Sequence, residues 1–251
     1  MTTIILNGAN GKMGKNIIEI VENNKEKYKI VAGVDKNIDK NIYDFVMSTE
    51  FKDTYSANVI IDFSHPDSLN SLLEFSKKKR IPLVIATTGY SKEQIEKIEI
   101  ACKEIPIFFT FNMSVGINLL IDLVKKSYKV LQDGFDIEIV EKHHNQKIDA
   151  PSGTALMIAD AINKEANKKF EYIYSRQNIR KKREKNEIGI HSIRAGTIVG
   201  EHEVIFSGED ETISITHTAT SKKIFAFGAI KAAEFIKNKK PGLYSMKDLN
   251  L

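Results

Sequence analysis

Cysteine is nearly absent from this chain of 251 residues, which contains one, Cys102. A lone cysteine cannot close an internal disulfide, so the fold must stand on its packed core. Cys102 lies in an amphipathic segment and reads as a small core residue rather than a nucleophile. Long apolar runs are also missing. No stretch reaches the roughly 18 residues that a membrane-crossing helix needs. From Met1 the chain runs almost at once into Ile4–Leu6, without the charged leader and long apolar region of a secretory signal. There is no strong charge of one sign, the formal net charge being +4. The one concentrated source is Arg180–Lys185, RKKREK. No aromatic residues are interleaved there and apolar periodicity stops on both sides, so it reads as a solvated loop rather than a nucleic-acid patch. No internal repeat or low-complexity tract is present. These absences point to a cytoplasmic globular protein with no membrane or nucleic-acid partner.

What is present is a core. Apolar residues make up 42% and charged residues 28%, ordinary for a globular protein. The length suits one large domain or two smaller ones. The first half alternates short apolar runs with helical patterns. Strands are expected at Thr3–Asn7, Ile30–Val34, Val59–Phe63, Pro82–Ala86 and Pro106–Phe109. Helices are expected at Lys12–Asn24, Pro66–Lys79 and Lys92–Lys103. This rhythm predicts a parallel sheet covered by helices on both faces.

The rhythm changes after about Asn112. A long helix is expected at Val115–Leu131 and another at Ser152–Ala166. Phe135–Glu141, Glu201–Ser207 and Thr212–His217 alternate with period two, as strands with one apolar face do. The prediction is an α/β chain with two domains. One is a Rossmann-like parallel-sheet domain, residues 1–113 with 223–251, to which the last helix Ile224–Lys237 returns. The other is an α+β domain with an open mixed sheet, residues 114–222. An open sheet needs cover or edge pairing, which favours an oligomer.

The first strand leads into Gly8-Ala9-Asn10-Gly11-Lys12-Met13-Gly14 and then a helix. Glycines there permit a tight turn and close approach of a pyrophosphate, and a helix start offers free N–H groups. The spacing is GxxGxxG rather than GxGxxG, and glycines often serve turns alone. The context strengthens the reading. Asp35 ends the second strand, where a carboxylate can accept from a ribose hydroxyl. Lys36 follows and could pair with a 2′-phosphate, so both NADH and NADPH are expected. Ala86-Thr87-Thr88-Gly89 and Thr110-Phe111-Asn112-Met113 follow two later strands, where ligands of open α/β sheets bind. Either alone could be a polar turn.

The densest chemistry lies at Glu141–Thr154, EKHHNQKIDAPSGT. A strand runs into His143 and His144, then Lys147, and Pro151-Ser152-Gly153-Thr154 opens a helix. Helix capping explains part of that last group. The same helix start also forms an anion site suited to a carboxylate, with the Thr154 hydroxyl beside it. His143 and Lys147 can supply an acid. Adjacent histidines on an extended chain point in opposite directions, and no cysteine or third histidine lies nearby in sequence. A metal is therefore not expected.

The segment Glu141–Ala155 resembles the signature of the dihydrodipicolinate reductase family, also called 4-hydroxy-tetrahydrodipicolinate reductases, of diaminopimelate and lysine synthesis. The similarity runs the whole chain. Gly8–Gly14 looks like the family's nucleotide loop, Asp62-Phe63-Ser64 like its nicotinamide-side strand end, and Thr87–Gly89 and Asn112–Gly116 like its later cofactor loops. Arg194–His202 and Gly242–Asp248 also look typical. The resemblance implies a substrate and tetramerisation domain, reduction of a cyclic hydroxy-dicarboxylate to tetrahydrodipicolinate, and a homotetramer. It implies that His143 is the acid/base and Lys147 the proton donor, and that His144, Lys147, Gly153 and Thr154 contact substrate. Closure about hinges near Asn112–Gly116 and Ser221–Ile224 is expected. Three departures stand out: Ala86 where the family often has Gly, Lys222 where many members carry Arg, and the loop Arg176–Lys185. The competing readings are a non-catalytic nucleotide-sensing protein of the same fold and another two-domain amino-acid dehydrogenase.

Overall fold

A computed structural model describes residues 1–38 and 43–249. Residues 39–42 and 250–251, which the expected first domain includes, lie outside the described residues. The chain divides into two compact units, Met1–Val115 with Lys223–Leu251, and Gly116–Lys222.

Among the described residues the first unit is built on seven parallel strands: β1 (Thr2–Asn7), β2 (Tyr28–Val34), β3 (Val46–Ser48), β4 (Val59–Asp62), β5 (Leu83–Ile85), β6 (Pro106–Phe109) and β12 (Gly242–Tyr244). Their spatial order is β12-β6-β5-β4-β1-β2-β3. Read from the far edge this is the doubly wound order 3-2-1-4-5-6 with one strand added, and it reverses direction between β1 and β4. β1 shows how the sheet is covered. Ile4 and Leu6 point to the core under α1 (Lys12–Glu22) and α6 (Lys223–Ile236). Ile5 points to the opposite core, under α2 (Leu69–Lys79) and α3 (Lys92–Ala101). The continuous apolar run Ile4-Ile5-Leu6 is what a strand buried on both faces requires. Strands β3 and β12 are too short and too weakly apolar to stand out in the sequence.

The second unit packs α4 (Val115–Leu131) and α5 (Gly153–Glu165) on one face of a five-stranded sheet. Its strands are β7 (Asp136–His143), β8 (Glu171–Ile173), β9 (Glu187–Arg194), β10 (Gly200–Ser207) and β11 (Thr212–Ala219). The order is β11-β10-β7-β9-β8. The pairs β10–β11 and β10–β7 are antiparallel, whereas β7–β9 and β8–β9 are parallel. The mixed sheet matches the expectation, but β8 and β9 were not anticipated. In β9 the run Glu187-Ile188-Gly189-Ile190 is buried throughout, so its burial follows no two-residue period. At Gly189 the Glu138 carboxylate of β7 occupies the space a side chain would take, a Cβ there falling 1.7 Å from it.

One sequence expectation is corrected here. The basic loop is not simply solvated. Arg183 donates to Glu138 (3.1 Å), to Asp136 (2.7 Å) and to the carbonyls of Ile137 (3.1 Å) and Glu187 (2.6 Å). It pins the loop to the sheet, while Arg180 and Lys182 are exposed.

Candidate active site

The first unit gathers its functional loops where β1 and β4 part. Gly8 ends β1 with φ +81°, a conformation that suits glycine, and a Cβ there would lie 2.3 Å from the Phe63 carbonyl oxygen. The two strand ends approach this closely only because residue 8 lacks a side chain. Gly14 serves α1, since a Cβ on it would lie 2.2 Å from the Gly8 carbonyl oxygen. Gly11 is the N-cap of α1 and makes no side-chain cap, so the helix start is left to offer its N–H groups and its dipole to an anion.

A cleft of about 1080 Å³ opens beside this turn, lined among others by Gly8, Gly11, Asp35, Lys36, Ser64 and His65. The Asp35 carboxylate accepts from the amides of Asn10 (2.9 Å) and Asn37 (3.0 Å), which leaves acceptor positions for a ribose hydroxyl. Lys36 Nζ lies 3.7 Å from Asp67. A tight glycine turn, a helix start without a side-chain cap and a strand-end carboxylate fit a dinucleotide.

The remaining expected cofactor residues divide. Thr87 is buried, and its hydroxyl accepts from the Ser64 amide (2.9 Å). Thr110 and Asn112 brace their own turn, and the exposed Phe111 ring packs edge-on against Phe109. Thr88 and Lys12 are exposed, and Ala86 is half-buried. The side chains of Ala9, Met13 and Met113 belong to the core, so Ala9 and Met113, being buried, can offer a ligand only their backbone. Asp62 is fully enclosed at the end of β4, accepting from Asn7 (2.7 Å), Ser64 (2.5 Å) and Tyr90 (3.3 Å). Burial pushes its carboxyl up against the hydrogen bonds of Ser64, Thr87, Asn7 and Tyr90.

In the second unit the helix-covered face of the sheet is apolar until its last rows. Ile139 of β7 stands between Val204 of β10 and Ile190 of β9. Two residues further, Glu141 stands between His202 and Ser192, and His217 of β11 is opposite His202. Two more bring His143, opposite Arg194. The period of a strand therefore carries the series Ile137, Ile139, Glu141, His143 onto one face.

Glu141 is fully buried. Its Oε1 accepts from Arg194 Nη2 (2.6 Å) and the Ser152 amide (3.1 Å). Its Oε2 accepts from Arg194 Nη1 (2.8 Å) and lies 2.6 Å from His143 Nδ1. Burial raises the Glu141 carboxyl, but donors from Arg194, Ser192, His143 and Ser152 outweigh it and leave it at about 2. His143 is held below its ordinary value, chiefly by burial and further by Lys147 and Arg194, against the pull of Glu141.

The loop after β7 carries the rest. Lys147 donates to both oxygens of Asp149 (2.8 Å each), and Arg194 Nη2 donates to the Asp149 carbonyl (2.7 Å). His144 is half-buried, and its carbonyl accepts from the Lys147 amide (3.1 Å). The peptide Ala150–Pro151 is cis. Ser152 caps α5, its hydroxyl accepting from the Ala155 amide (3.2 Å). Gly153 and Thr154 form the first residues of that helix. Apart from its chain neighbours and its own helix, no heavy atom of the described residues comes within 4 Å of where a Gly153 Cβ would stand. His143, Lys147, Gly153 and Thr154 thus stand on one strand end, one turn and one helix start, tied together by Glu141, Arg194 and Asp149. Sequence reasoning passed over those three. For Glu141 the signal was present, since it continues the apolar alternation of β7 with a carboxylate.

Two family models divide the chain between them: the dihydrodipicolinate reductase N-terminus over residues 2–113 and its C-terminus over residues 116–249. A 4-hydroxy-tetrahydrodipicolinate reductase of Caldanaerobacter subterraneus subsp. tengcongensis is 54% identical, over 99% of this chain and 98% of its own. The Clostridium novyi protein of the same name is 50% identical, with the same coverage. Among solved structures, a dipicolinate-bound dihydrodipicolinate reductase from Paenisporosarcina sp. TG-14 shares the fold, with a TM-score of 0.83 at 23% identity and 99% coverage of both chains. By its family models and these full-length relatives, the chain belongs to the dihydrodipicolinate reductase family.

Proposed function

We propose that this chain reduces 4-hydroxy-tetrahydrodipicolinate to tetrahydrodipicolinate with NADH or NADPH, a step of diaminopimelate and lysine synthesis. The observation that carries the reading is the grouping of His143 and Lys147 with the start of α5, on the frame made by Glu141 and Arg194. A bound nicotinamide nucleotide supplies the hydride. Losing the substrate hydroxyl as water while gaining hydride consumes one proton, so the site needs an acid. The Lys147 ammonium, steadied by Asp149, is the donor, and His143 takes up and returns the proton. The helix start at Gly153 and Thr154 and the side chains of His144 and Lys147 hold the carboxylates.

The first unit is assigned to the nucleotide. Gly8 to Met13 approach the pyrophosphate, Asp35 takes the ribose hydroxyl, and Lys36 takes a 2′-phosphate where there is one. The loops Ala86–Thr88 and Thr110–Met113 line the nicotinamide half. The second unit, with its edge strands β8 and β11, is assigned to substrate binding and to a homotetramer, for which light scattering should return four times the chain mass. The test of function is oxidation of NADH or NADPH while the preceding synthase generates the unstable substrate in situ. The rate should scale with the concentration of this chain. A rate independent of it refutes the proposal.

A further inference from the structure

The Glu141 carboxylate is ringed by donors: two nitrogens of Arg194, the Ser152 amide, the Ser192 side chain and His143. Three of its partners cannot change role. The two Arg194 nitrogens and the Ser152 amide can only donate. A ring nitrogen can be donor or acceptor, but His143 Nδ1, at 2.6 Å, faces an anion already clamped by a guanidinium. It must therefore carry a proton. In a neutral ring that leaves Nε2 with the lone pair. Nε2 lies beside Gly200, where a Cβ would come within 3.2 Å of it.

We propose that Glu141, clamped by Arg194, is the positioning residue of the site: it fixes the His143 tautomer so that Nε2 is the atom through which the proton passes. This rests on the reductase reading for its purpose and on geometry alone for its content. Through Oε1 the same carboxylate holds the Ser152 amide, so one buried group sets both the acid ring and the first turn of the carboxylate-holding helix.

The replacement Glu141→Gln makes a sharp test, because it converts one acceptor position into a donor. Arg194 Nη2 and the Ser152 amide together require oxygen at the Oε1 position. The new NH2 then falls where Oε2 stood, facing Arg194 Nη1, which keeps the Ile193 carbonyl as an acceptor (2.8 Å), and His143, whose ring can respond by exchanging tautomers. Its proton should move from Nδ1 to Nε2. The measurement is the ring-nitrogen and ring-proton correlation spectrum of the full chain labelled with ¹⁵N-histidine, without substrate. In the unaltered chain, neutral His143 should show a protonated Nδ1 and a bare Nε2. In E141Q the two should exchange. The groups facing the ring are Glu141, Arg194 of β9, His202 of β10 and Lys147 of the following loop. Glu141 is the only anion among these four, so its neutralisation should move the His143 titration to lower pH. In the synthase-coupled assay kcat should fall by about 10²–10⁴-fold.

A bare Nδ1 in the unaltered chain overturns the proposal, as does an unchanged tautomer in folded E141Q. Should E141Q fail to fold, the unaltered chain still decides. A protonated Nδ1 together with no turnover would remove the reductase reading and leave the tautomer assignment standing.

Discussion

The Ser152 hydroxyl that caps α5 lies 3.0 Å from Nε2 of the buried His202. The same oxygen accepts from the Ala155 amide, so one hydroxyl joins the helix cap to the buried ring. Burial, with His143, His217 and Lys147 against Glu141, holds His202 down at about 4, so it is neutral near pH 7. The unfolded chain titrates near 6.5. Between these values the unfolded state binds more protons, so stability falls as pH drops from about 6.5 to about 4, by about 3 kcal/mol in all. Urea unfolding across this range should show the slope, and His202→Asn should lose one proton's share of it. An unaltered slope in the variant would contradict the assignment.

Glu141 acts in a lower window. With a folded value of about 2 against roughly 4.5 unfolded, its stabilisation is complete above pH 4.5 and is lost as pH falls towards 2. Arg194→Met leaves the carboxylate buried without its cation and should cost about 3–5 kcal/mol near neutrality. Thermal unfolding at pH 7 measures it, and a loss under about 1 kcal/mol would show the pair to be dispensable.

The glycines of the two helix starts should respond differently. Gly8→Ala meets both positive φ and the Phe63 carbonyl oxygen, and should destabilise the first unit and abolish nucleotide binding. Gly153→Ala meets no protein atom within 4 Å. It should leave Tm unchanged or slightly raised while raising KM for the dicarboxylate. Calorimetry and the coupled assay separate the two.

Asp35 and Lys36 share the cleft of the first unit. Asp35→Ser should raise KM for NADH by about tenfold, the value of a hydrogen bond to a charged group, and affect NADPH less. Lys36→Ala should do the reverse. Equal losses with both nucleotides in both variants would contradict the assignment.

Arg183 separates the pinned from the solvated part of the basic loop. Arg183→Ala leaves Glu138, Asp136 and two carbonyls short of a donor and should cost about 1–3 kcal/mol. Arg180→Ala and Lys182→Ala should stay within about 0.5 kcal/mol. Urea midpoints rank the three.

Much of this architecture was legible in the chain because two periods announce it. Ile4-Ile5-Leu6 marks a strand buried on both faces, and Phe135, Ile137 and Ile139 mark one buried on one face. Polar and short elements were less legible. β9 is buried along Glu187–Ile190 without alternation, and the three residues of β12 gain meaning only beside β6. In the site, His143, Lys147, Gly153 and Thr154 were visible as unusual neighbours in sequence. Arg194 and His202 stood out only as the ends of a run typical of the family and were given no role, because they reach Glu141 across strand pairings that no local spacing encodes. Arg183 was misjudged for the same reason: its partners are 45 and 47 positions away.

The double replacement His143→Gln with Lys147→Gln tests most directly the proposal that these two residues are the proton-transfer pair. In the synthase-coupled assay with saturating NADH or NADPH, kcat should fall at least about 10²-fold, while nucleotide affinity measured by fluorescence stays within twofold of the parent. Turnover at the parent rate in a folded double variant would contradict the account.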